Sequence, residues 1–363
     1  MRMRNSAVLA TSIGVLMLAT ACGSSSSDSP SGSGGSSADS NAPQVGVILP
    51  DTKSSARWES FDRPLLTKAF SDAGVKATIQ NAQGDAAQMQ TIADQMITQG
   101  VKVLAIVNLD SDSGTAIESK AKQAGVQTID YDRLTLGGSA DYYVSFNNTQ
   151  VGVEQGAGLA KCLGPGAKNI VYLNGSPTDN NATLFAQGAH SVLDKVTTYK
   201  KVAEQAVPDW DNQQAATIFE QQLTQAKKVD GVLAANDGLG NAAISILAKN
   251  GLAGKVPVTG QDATAQGLQN VLAGTQCMTV YKPVAEEASS LSKIAISLAK
   301  GEAAATTGTT NDPVGKRDVK SVLLQPVAIT QANVKTVISG GLVKAAEVCT
   351  AKYAAACKKF GVS

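Results

Sequence analysis

Residues 101–132 read VKVLAIVNLDSDSGTAIESKAKQAGVQTIDYD and contain the pattern that decides the fold. Two apolar runs, Val101–Val107 and Val126–Tyr131, flank an amphipathic stretch at Ser113–Gln123. Short apolar runs that alternate with helical patterns are typical of βαβ units. This stretch therefore predicts two parallel strands joined by a helix.

The same alternation extends through the chain in both directions. In the first half, further strands are predicted at 45–49, 75–80 and 142–146, and helices at 58–73 and 86–99. In the second half, strands are predicted at 169–173, 201–206, 232–235, 256–259 and 278–281, followed by a late strand pattern at 319–329 and a late helix at 331–346. The pattern as a whole predicts an α/β protein with parallel sheets.

The two halves resemble each other. The segment 103–132 parallels the segment 232–262, because each runs from an apolar strand through a helix to a second strand that ends at an aspartate, Asp132 or Asp262. Polar residues thus recur just past the carboxyl ends of corresponding strands. Open α/β sheets bind their ligands at that edge. The halves are therefore expected to share a fold and to present a site there.

The N-terminus has the pattern of an export signal. Arg2 and Arg4 precede an apolar run at 7–18, and small residues then lead to Cys22, which resembles a bacterial lipobox even though Ala19 stands where leucine is commoner. Residues 1–21 are interpreted as a signal peptide and Cys22 as a lipidated residue, anchored at the outer face of the cell membrane. The Gly/Ser-rich remainder of 22–43 is interpreted as a flexible tether. The alternative is an ordinary secretory signal with an incidental cysteine.

The composition excludes several classes of protein. With 363 residues, 43% hydrophobic and 17% charged, the chain is long enough for two globular domains. Its formal net charge of +1 lacks the excess of positive charge that is typical of nucleic-acid-binding proteins. The one histidine, His190, is interpreted as structural, and no cysteine lies in a CxxC motif, so neither a metal site nor a cofactor is expected. The pairing of Cys162, Cys277, Cys349 and Cys357 stays open.

Two tryptophans are candidates for contact with a sugar. A sugar needs flat aromatic surfaces for its C–H faces and forked hydrogen bonds for its hydroxyls. Trp58 and Trp210 both lie beside charged or amide residues in predicted strand-to-helix loops. The alternative for each is packing at a helix end or at the surface.

Polar pairs at strand ends are the other candidates. Asp132 and Arg133 end a predicted buried strand and can each grip two adjacent hydroxyls, although an ion pair at the strand end is an equal alternative. Asn236 and Asp262 follow two more strands, where turn or cap chemistry is the alternative. Their recurrence favours a common site.

Several longer runs resemble the xylose-binding proteins of ABC transporters over about residues 44–345. The runs are Tyr131–Arg133, Ser145–Asn148, Gly175–Ala182, Gly260–Ala263 and Met278–Pro283. The resemblance implies the type I periplasmic-binding-protein fold, in which two Rossmann-like lobes with parallel sheets are joined by a three-crossover hinge and enclose a sugar. It places the N-terminal lobe at 44–146 plus about 283–322, the C-terminal lobe at 147–282 plus about 323–345, and a tail at 346–363.

The resemblance also implies roles for individual residues. Trp58 and Trp210 would stack on the sugar ring, with Asp179 as a weaker candidate for contact. The residues that would bond the hydroxyls are Arg57, Asp132, Arg133, Asn181, Asn236, Asp262 and Lys282. The loop at 51–56 is less like the family, which bears on sugar preference, and the tail is additional, which bears on stability.

The leading hypothesis is therefore a non-enzymatic receptor that captures a monosaccharide, D-xylose above all, and presents it to an ABC permease with its ATPase. The protein is expected to be a monomer. Other sugars, namely ribose, arabinose, galactose or glucose, are the first alternative. An exported carbohydrate-active enzyme is the second, because Asp132 and Asp262 can in principle flank a glycosidic bond. A DNA-binding regulator is disfavoured, since an export signal stands where its helix-turn-helix would be.

Overall fold

The structure is a computed structural model that describes residues 44–341 and 343–362. The predicted signal peptide, Cys22 and the tether lie outside the described residues. Among the helices that the structure describes, none combines the length and apolar character that a membrane span requires.

The described residues contain twelve strands and twelve α-helices in regular alternation. The strands are β1 Val45–Leu49, β2 Ala77–Asn81, β3 Val103–Ile106, β4 Gln127–Tyr131, β5 Tyr142–Phe146, β6 Lys168–Asn174, β7 Tyr199–Ala206, β8 Gly231–Ala234, β9 Thr279–Tyr281, β10 Gly308–Asp312, β11 Arg317–Leu324 and β12 Val327–Ile329. The helices are α1 Arg63–Asp72, α2 Ala86–Thr98, α3 Ser111–Gln123, α4 Asn148–Leu163, α5 Asn180–Leu193, α6 Asn212–Ala226, α7 Asp237–Lys249, α8 Ala265–Ala273, α9 Val284–Ala299, α10 Lys335–Ser339, α11 Ala345–Val348 and α12 Ala354–Lys359. Short helical turns at Trp58–Asp62 and Pro208–Trp210 precede α1 and α6.

Five strands from the first half of the chain and the two late strands β10 and β11 form a seven-stranded sheet in the order β10-β11-β5-β4-β3-β1-β2. All neighbours are parallel except β10 and β11, which form an antiparallel edge. Strand β1 is fully buried, and its alternate side chains enter two different cores, one with α1 and α9 and the other with α2 and α3. Helices thus cover both faces, as the near-continuous apolar runs require.

The second half builds a smaller parallel sheet in the order β7-β6-β8. Val171 and Leu173 of β6 face the core made with α6 and α7, whereas Ile170 and Tyr172 face the core made with α4 and α5. A separate antiparallel pair, β9 with β12, lies beside this sheet. The predicted α/β class with parallel sheets is confirmed, and two sheets of this kind agree with the type I periplasmic-binding-protein fold that the resemblance implies.

In the described part of the chain, three connections join the elements of the two sheets. They run from β5 to α4, from β9 to α9 and from β11 to β12. The predicted lobe boundaries stay a prediction, and the one at 322 falls inside β11, which continues to Leu324.

The predicted strand at 256–259 is wrong as a regular element. Its residues make only two isolated parallel bridges, Val232 to Val258 and Ala253 to Val256. The Pro257 carbonyl accepts from Val232 N and Thr259 N donates to Val232 O, but Pro257 has no N–H with which to extend the ladder towards the start of the segment. The Thr259 side chain bonds the backbone of Ala234 instead.

The strand predicted at 319–329 and the helix predicted at 331–346 are both wrong as single elements, because each is a pair of shorter elements in the structure. The strand pattern at 319–329 belongs to β11 and β12, which lie in different sheets because the chain leaves the first at Gln325 and Pro326. The helix at 331–346 is two short helices, α10 and α11, interrupted at Gly340 and Gly341. Gly341 has a φ of 81°, a conformation that favours glycine and ends the helix. Strand β10 was not predicted.

The structure pairs all four described cysteines. Cys162, near the end of α4, is bonded to Cys277, 115 residues later and just before β9. Cys349 and Cys357 close an 8-residue interval within the tail. The tail packs into a core that it shares with α8, through Val348, Cys357 and Val362. The described tail thus contributes to a core rather than to the cavity described next.

Candidate ligand-binding site

A cavity lies where strand ends of both sheets meet. Fourteen residues line it: Ser54, Ser55, Arg57, Trp58, Asp132, Arg133, Asp179, Asn181, Phe185, Trp210, Asn236, Gln261, Asp262 and Lys282. All ten residues predicted for sugar contact are among them. Their role in binding stays a prediction.

The backbone holds several of these side chains in uncommon conformations. Asp132, just past the end of β4, has a φ of 62°, Asp262 has a φ of 95°, and Trp210 has a φ of 55°. Left-handed backbone is unfavourable for residues with a side chain, and it clusters at functional sites. Backbone hydrogen bonds fix the first two turns, from Asp132 N to Val144 O at 2.8 Å and from Asp262 N to Val280 O at 2.9 Å.

Arg57 is held by three carboxylates in a buried cluster. Its Nε and Nη2 both donate to Asp62, Nη2 also donates to Glu287 Oε2 at 2.5 Å, and Nη1 donates to Asp132 Oδ2 at 3.0 Å. Tyr131 donates to Asp62 from the other side. Four of the five N–H donors of the guanidinium are therefore used within the protein, and one N–H on Nη1 stays available.

Asp132 lies at the centre of the charges in the cavity. Besides Arg57, its Oδ2 lies 3.9 Å from Lys282 Nζ, and its Oδ1 accepts from Asn181 Nδ2 at 3.0 Å. Burial alone would raise the pKa of Asp132, but Lys282, Arg57 and Arg133 together lower it. The carboxylate thus stays ionised, as an acceptor for hydroxyls rather than as a proton donor.

Lys282 and Asp262 complete the polar side of the cavity. The Lys282 Nζ lies 3.4 Å from Asp262 Oδ1 and 5.5 Å from the Phe146 ring. Asn236 caps α7 by accepting from Leu239 N at 2.8 Å, which leaves its side-chain NH₂ for the cavity. The predicted cap role and the predicted site role of Asn236 are thus compatible.

The two tryptophans belong to the cores as well as to the cavity. Trp58 packs with the seven-stranded sheet, and its indole N–H donates to Ser54 Oγ at 3.1 Å. Trp210 packs with the smaller sheet and meets Phe185 edge-on at 6.4 Å between ring centroids. Both rings thus pack in cores and also line the cavity, and their contact with a sugar stays a prediction.

Arg133 and Asp179 join the two sides of the cavity. The Arg133 Nε lies 3.0 Å from Asp179 Oδ2, and Arg133 Nη1 donates to Asn108 O at 3.1 Å. Asn181 donates to the Asp132 carbonyl at 3.0 Å as well as to its carboxylate. Polar contacts therefore link residues after β4 with residues after β6 at two points.

Sequence reasoning did not identify Ser54, Ser55, Phe185 or Gln261 as lining residues. The position of Phe185 could have been predicted from the sequence, because Phe185 follows Asn181 by four residues on α5 and therefore lies on the same face of the helix. Gln261 is 2% exposed, and its buried Oε1 has no hydrogen-bond partner in the described structure. Buried amides are normally bonded, so Gln261 is a further candidate for ligand contact.

Glu287 was also missed, and it gives the cluster a pH dependence. It is fully buried behind Arg57, and burial raises the pKa of its carboxyl to about 8, although Arg57 counteracts this. No local pattern indicates this contact, because Glu287 and Arg57 are 230 residues apart.

Glu287→Gln is expected to reduce the loss of stability that the wild type shows between about pH 5 and pH 8. The folded state keeps the Glu287 proton to a pKa of about 8, against a reference value of 4.5 for the unfolded chain. The folded protein therefore binds more protons in this interval, and its unfolding free energy falls as pH rises, by up to about 1.4 kcal/mol per pH unit. Urea unfolding at several pH values measures the slope.

The exposed neighbour Glu286 supplies the control, because Glu286→Gln removes a carboxylate from the same turn of α9. Its slope is expected to match the wild type. Equal slopes in all three proteins would contradict the burial of a protonated Glu287.

The family profile described as "Periplasmic binding protein domain" matches residues 45–303. The chain is 36% identical over 310 residues to the D-xylose-binding periplasmic protein of Escherichia coli, which covers 84% of this chain and 92% of that protein. It is 34% identical over 333 residues to a multiple sugar-binding periplasmic protein of Azospirillum brasilense, with 82% and 89% covered.

A solved structure gives the same similarity in three dimensions. The carbohydrate transporter solute binding protein of Chloroflexus aurantiacus, in complex with D-glucose, has a TM-score of 0.77 and 29% sequence identity. The match covers 84% of this chain and 98% of that one.

Proposed function

The chain belongs to the periplasmic binding protein family, as an extracytoplasmic sugar-binding receptor for ABC import, and we propose that D-xylose is the sugar that it captures. The family consists of transport receptors rather than enzymes. The proposal for xylose is supported by the similarity to the E. coli protein over nearly the whole described chain.

The observation that carries the proposal is the composition of the cavity. Two tryptophans supply flat surfaces for the C–H faces of a sugar, and charged and amide side chains supply hydrogen bonds for its hydroxyls.

We assign a role to each side chain from the hydrogen-bonding groups that it does not already use within the protein. Trp58 and Trp210 stack on the ring, and Arg57 contributes its one remaining N–H. Asp132 and Asp262 accept from hydroxyls, and the donors and amides around them complete the set: Arg133, Asn181, Asn236 and Lys282. The two lobes close on the sugar by a hinge motion, and the closed monomer docks on the permease, whose ATPase drives uptake.

D-xylose is expected to bind at least about tenfold more tightly than D-glucose, a difference of about 1.4 kcal/mol. A site closed around a pentose has no room for the extra hydroxymethyl group of glucose and leaves polar groups unpaired when it is forced to accept it. Calorimetric titration with a pentose and hexose panel measures the ratio.

Equal affinity for xylose and glucose, or a preference for ribose, arabinose or galactose, would remove the xylose assignment and leave the sugar receptor intact. Receptors for other sugars are the second candidate, because the Azospirillum relative is named for multiple sugars and the Chloroflexus structure holds D-glucose.

We also propose that Cys22 is lipidated and anchors the receptor to the outer face of the cell membrane. Cys22→Ser is expected to abolish acylation, and either to release the protein or to leave it with an uncleaved signal, while sugar binding is unchanged. Mass spectrometry of the mature N-terminus, with membrane fractionation, measures both. A wild-type protein free in the medium without an acyl group would contradict the anchor.

A further inference from the structure

The carboxylate of Asp179 contacts three of the residues to which we assign sugar binding. Its Oδ2 accepts from Trp210 Nε1 at 3.1 Å and lies 3.0 Å from Arg133 Nε. Its Oδ1 accepts from the backbone N–H of Asn181 at 2.9 Å, which makes Asp179 the N-cap of α5. The side chain is 4% exposed. Little of the carboxylate is left for a ligand, and its contacts lie on both sides of the cavity.

The Trp210 ring is fixed from two directions. Asp179 holds its indole N–H, and Gly175 allows the six-membered ring to lie directly on the backbone. A Cβ at Gly175 would be 2.0 Å from Trp210 Cη2, so no side chain fits there. The plane of the indole is therefore set by contacts that do not involve the face turned to the cavity.

Arg133 is held in a similar way. Its guanidinium donates a hydrogen bond to the Asn108 carbonyl and forms an ion pair with Asp179, in which Nε lies close to the carboxylate without a hydrogen bond of good geometry, and the side chain is 7% exposed. Asp179 is the carboxylate that faces Arg133 from the opposite side of the cavity. Without it, the buried Arg133 cation would have no counter-ion on that side, and closing the two sides around it would be less favourable.

On the basis of the proposed function, we propose that Asp179 is a positioning residue, which sets the plane of Trp210 and the direction of Arg133 as the cavity forms around the sugar. Its effect on affinity is indirect. Asp179 holds the Trp210 ring and the Arg133 guanidinium in place before the sugar binds. Less conformational entropy is then lost on binding, and this preorganisation increases the affinity.

Asp179→Asn separates this role from the helix cap. Asparagine caps helices as well as aspartate, so α5 keeps its N-terminal bond to Asn181 N. The remaining NH₂ group then faces the donors of Trp210 and Arg133, where it can accept from neither. We expect the dissociation constant for D-xylose to rise at least tenfold, and the sugar-induced change in tryptophan fluorescence to shrink, with the melting temperature close to that of the wild type.

Two further variants complete the experiment. Asp211→Asn is the matched control, because Asp211 adjoins Trp210 and caps α6 in the same way but does not line the cavity; its affinity is expected to stay within twofold of the wild type. The double variant Arg133→Gln with Asp179→Asn is expected to lose less affinity than the sum of the two single losses, because both single variants remove the same Arg133–Asp179 contact, whereas only Asp179→Asn removes the contact with Trp210.

Wild-type affinity and fluorescence in Asp179→Asn, or additive losses in the double variant, would overturn the positioning role. If Asp179→Asn does not fold, Trp210→Phe tests the same contact from the other partner, since it keeps a ring and removes the indole N–H; unchanged affinity would again overturn the proposal. A wild type that binds no sugar of the panel overturns the proposed function, and the role of Asp179 with it.

Discussion

Replacing both Cys162 and Cys277 with serine is expected to lower the unfolding free energy by about 5 kcal/mol. A disulfide restricts the unfolded chain in proportion to the logarithm of the loop that it closes, and this one spans 115 residues. Urea denaturation of the wild type and the double variant, both without free thiol reagents, measures the loss. Sugar binding is expected to survive at temperatures where the variant is folded.

The tail disulfide provides an internal comparison. Cys349 and Cys357 are 8 residues apart, so their replacement is expected to cost only about 2.5 kcal/mol by the same relation. A larger loss from the tail pair than from the long-range pair would contradict the chain-entropy account of both bonds.

Trp210→Ala is expected to weaken D-xylose binding at least about thirtyfold, or about 2 kcal/mol. The substitution removes a large flat surface from a buried pocket, and it also removes the indole N–H that Asp179 accepts. Calorimetric titration measures the affinity. Trp210 also belongs to a core, so the substitution can lower stability as well as affinity. The melting temperature of the variant is therefore measured as well, so that the titration is done on folded protein.

His190→Ala is the control for this loss. His190 stacks on Tyr172 at 4.6 Å and does not line the cavity, so its replacement is expected to leave the affinity unchanged. A folded Trp210→Ala protein with wild-type affinity would remove the stacking role of Trp210 and weaken the assignment of the other residues of the cavity.

The sequence was informative wherever the signal was local. Apolar runs such as that of β1 predicted the strands, because a strand covered on both faces has few polar residues. Asp132 and Asp262 could be placed at strand ends for the same reason, and parallel strands end at one edge of a sheet. Hydrophobicity could not distinguish 256–259 from a regular strand, because the obstacle there is the missing N–H of Pro257.

Contacts between distant segments were beyond such reasoning. Nothing near Glu287 indicates that it would lie behind Arg57, and the pairing of Cys162 with Cys277 depends on how α4 packs beside β9. The Arg133–Asp179 contact is similar, since each residue alone is typical of a strand end or a helix cap. Such pairs are properties of the folded chain rather than of any stretch of it.

The three connections between the sheets are fastened to one another on one side. The disulfide ties α4, at which the first connection ends, to the segment before β9, from which the second begins, and the β9–β12 ladder ties the second to the third. We therefore expect a rotation of one sheet against the other to change the backbone at the three short links, about residue 147, 282–283 and 325–326. Two of these short links contain a proline, Pro283 or Pro326, whose ring restricts φ. Lys282 itself lies in one of these links, so a rotation of one sheet against the other is expected to move a side chain of the cavity.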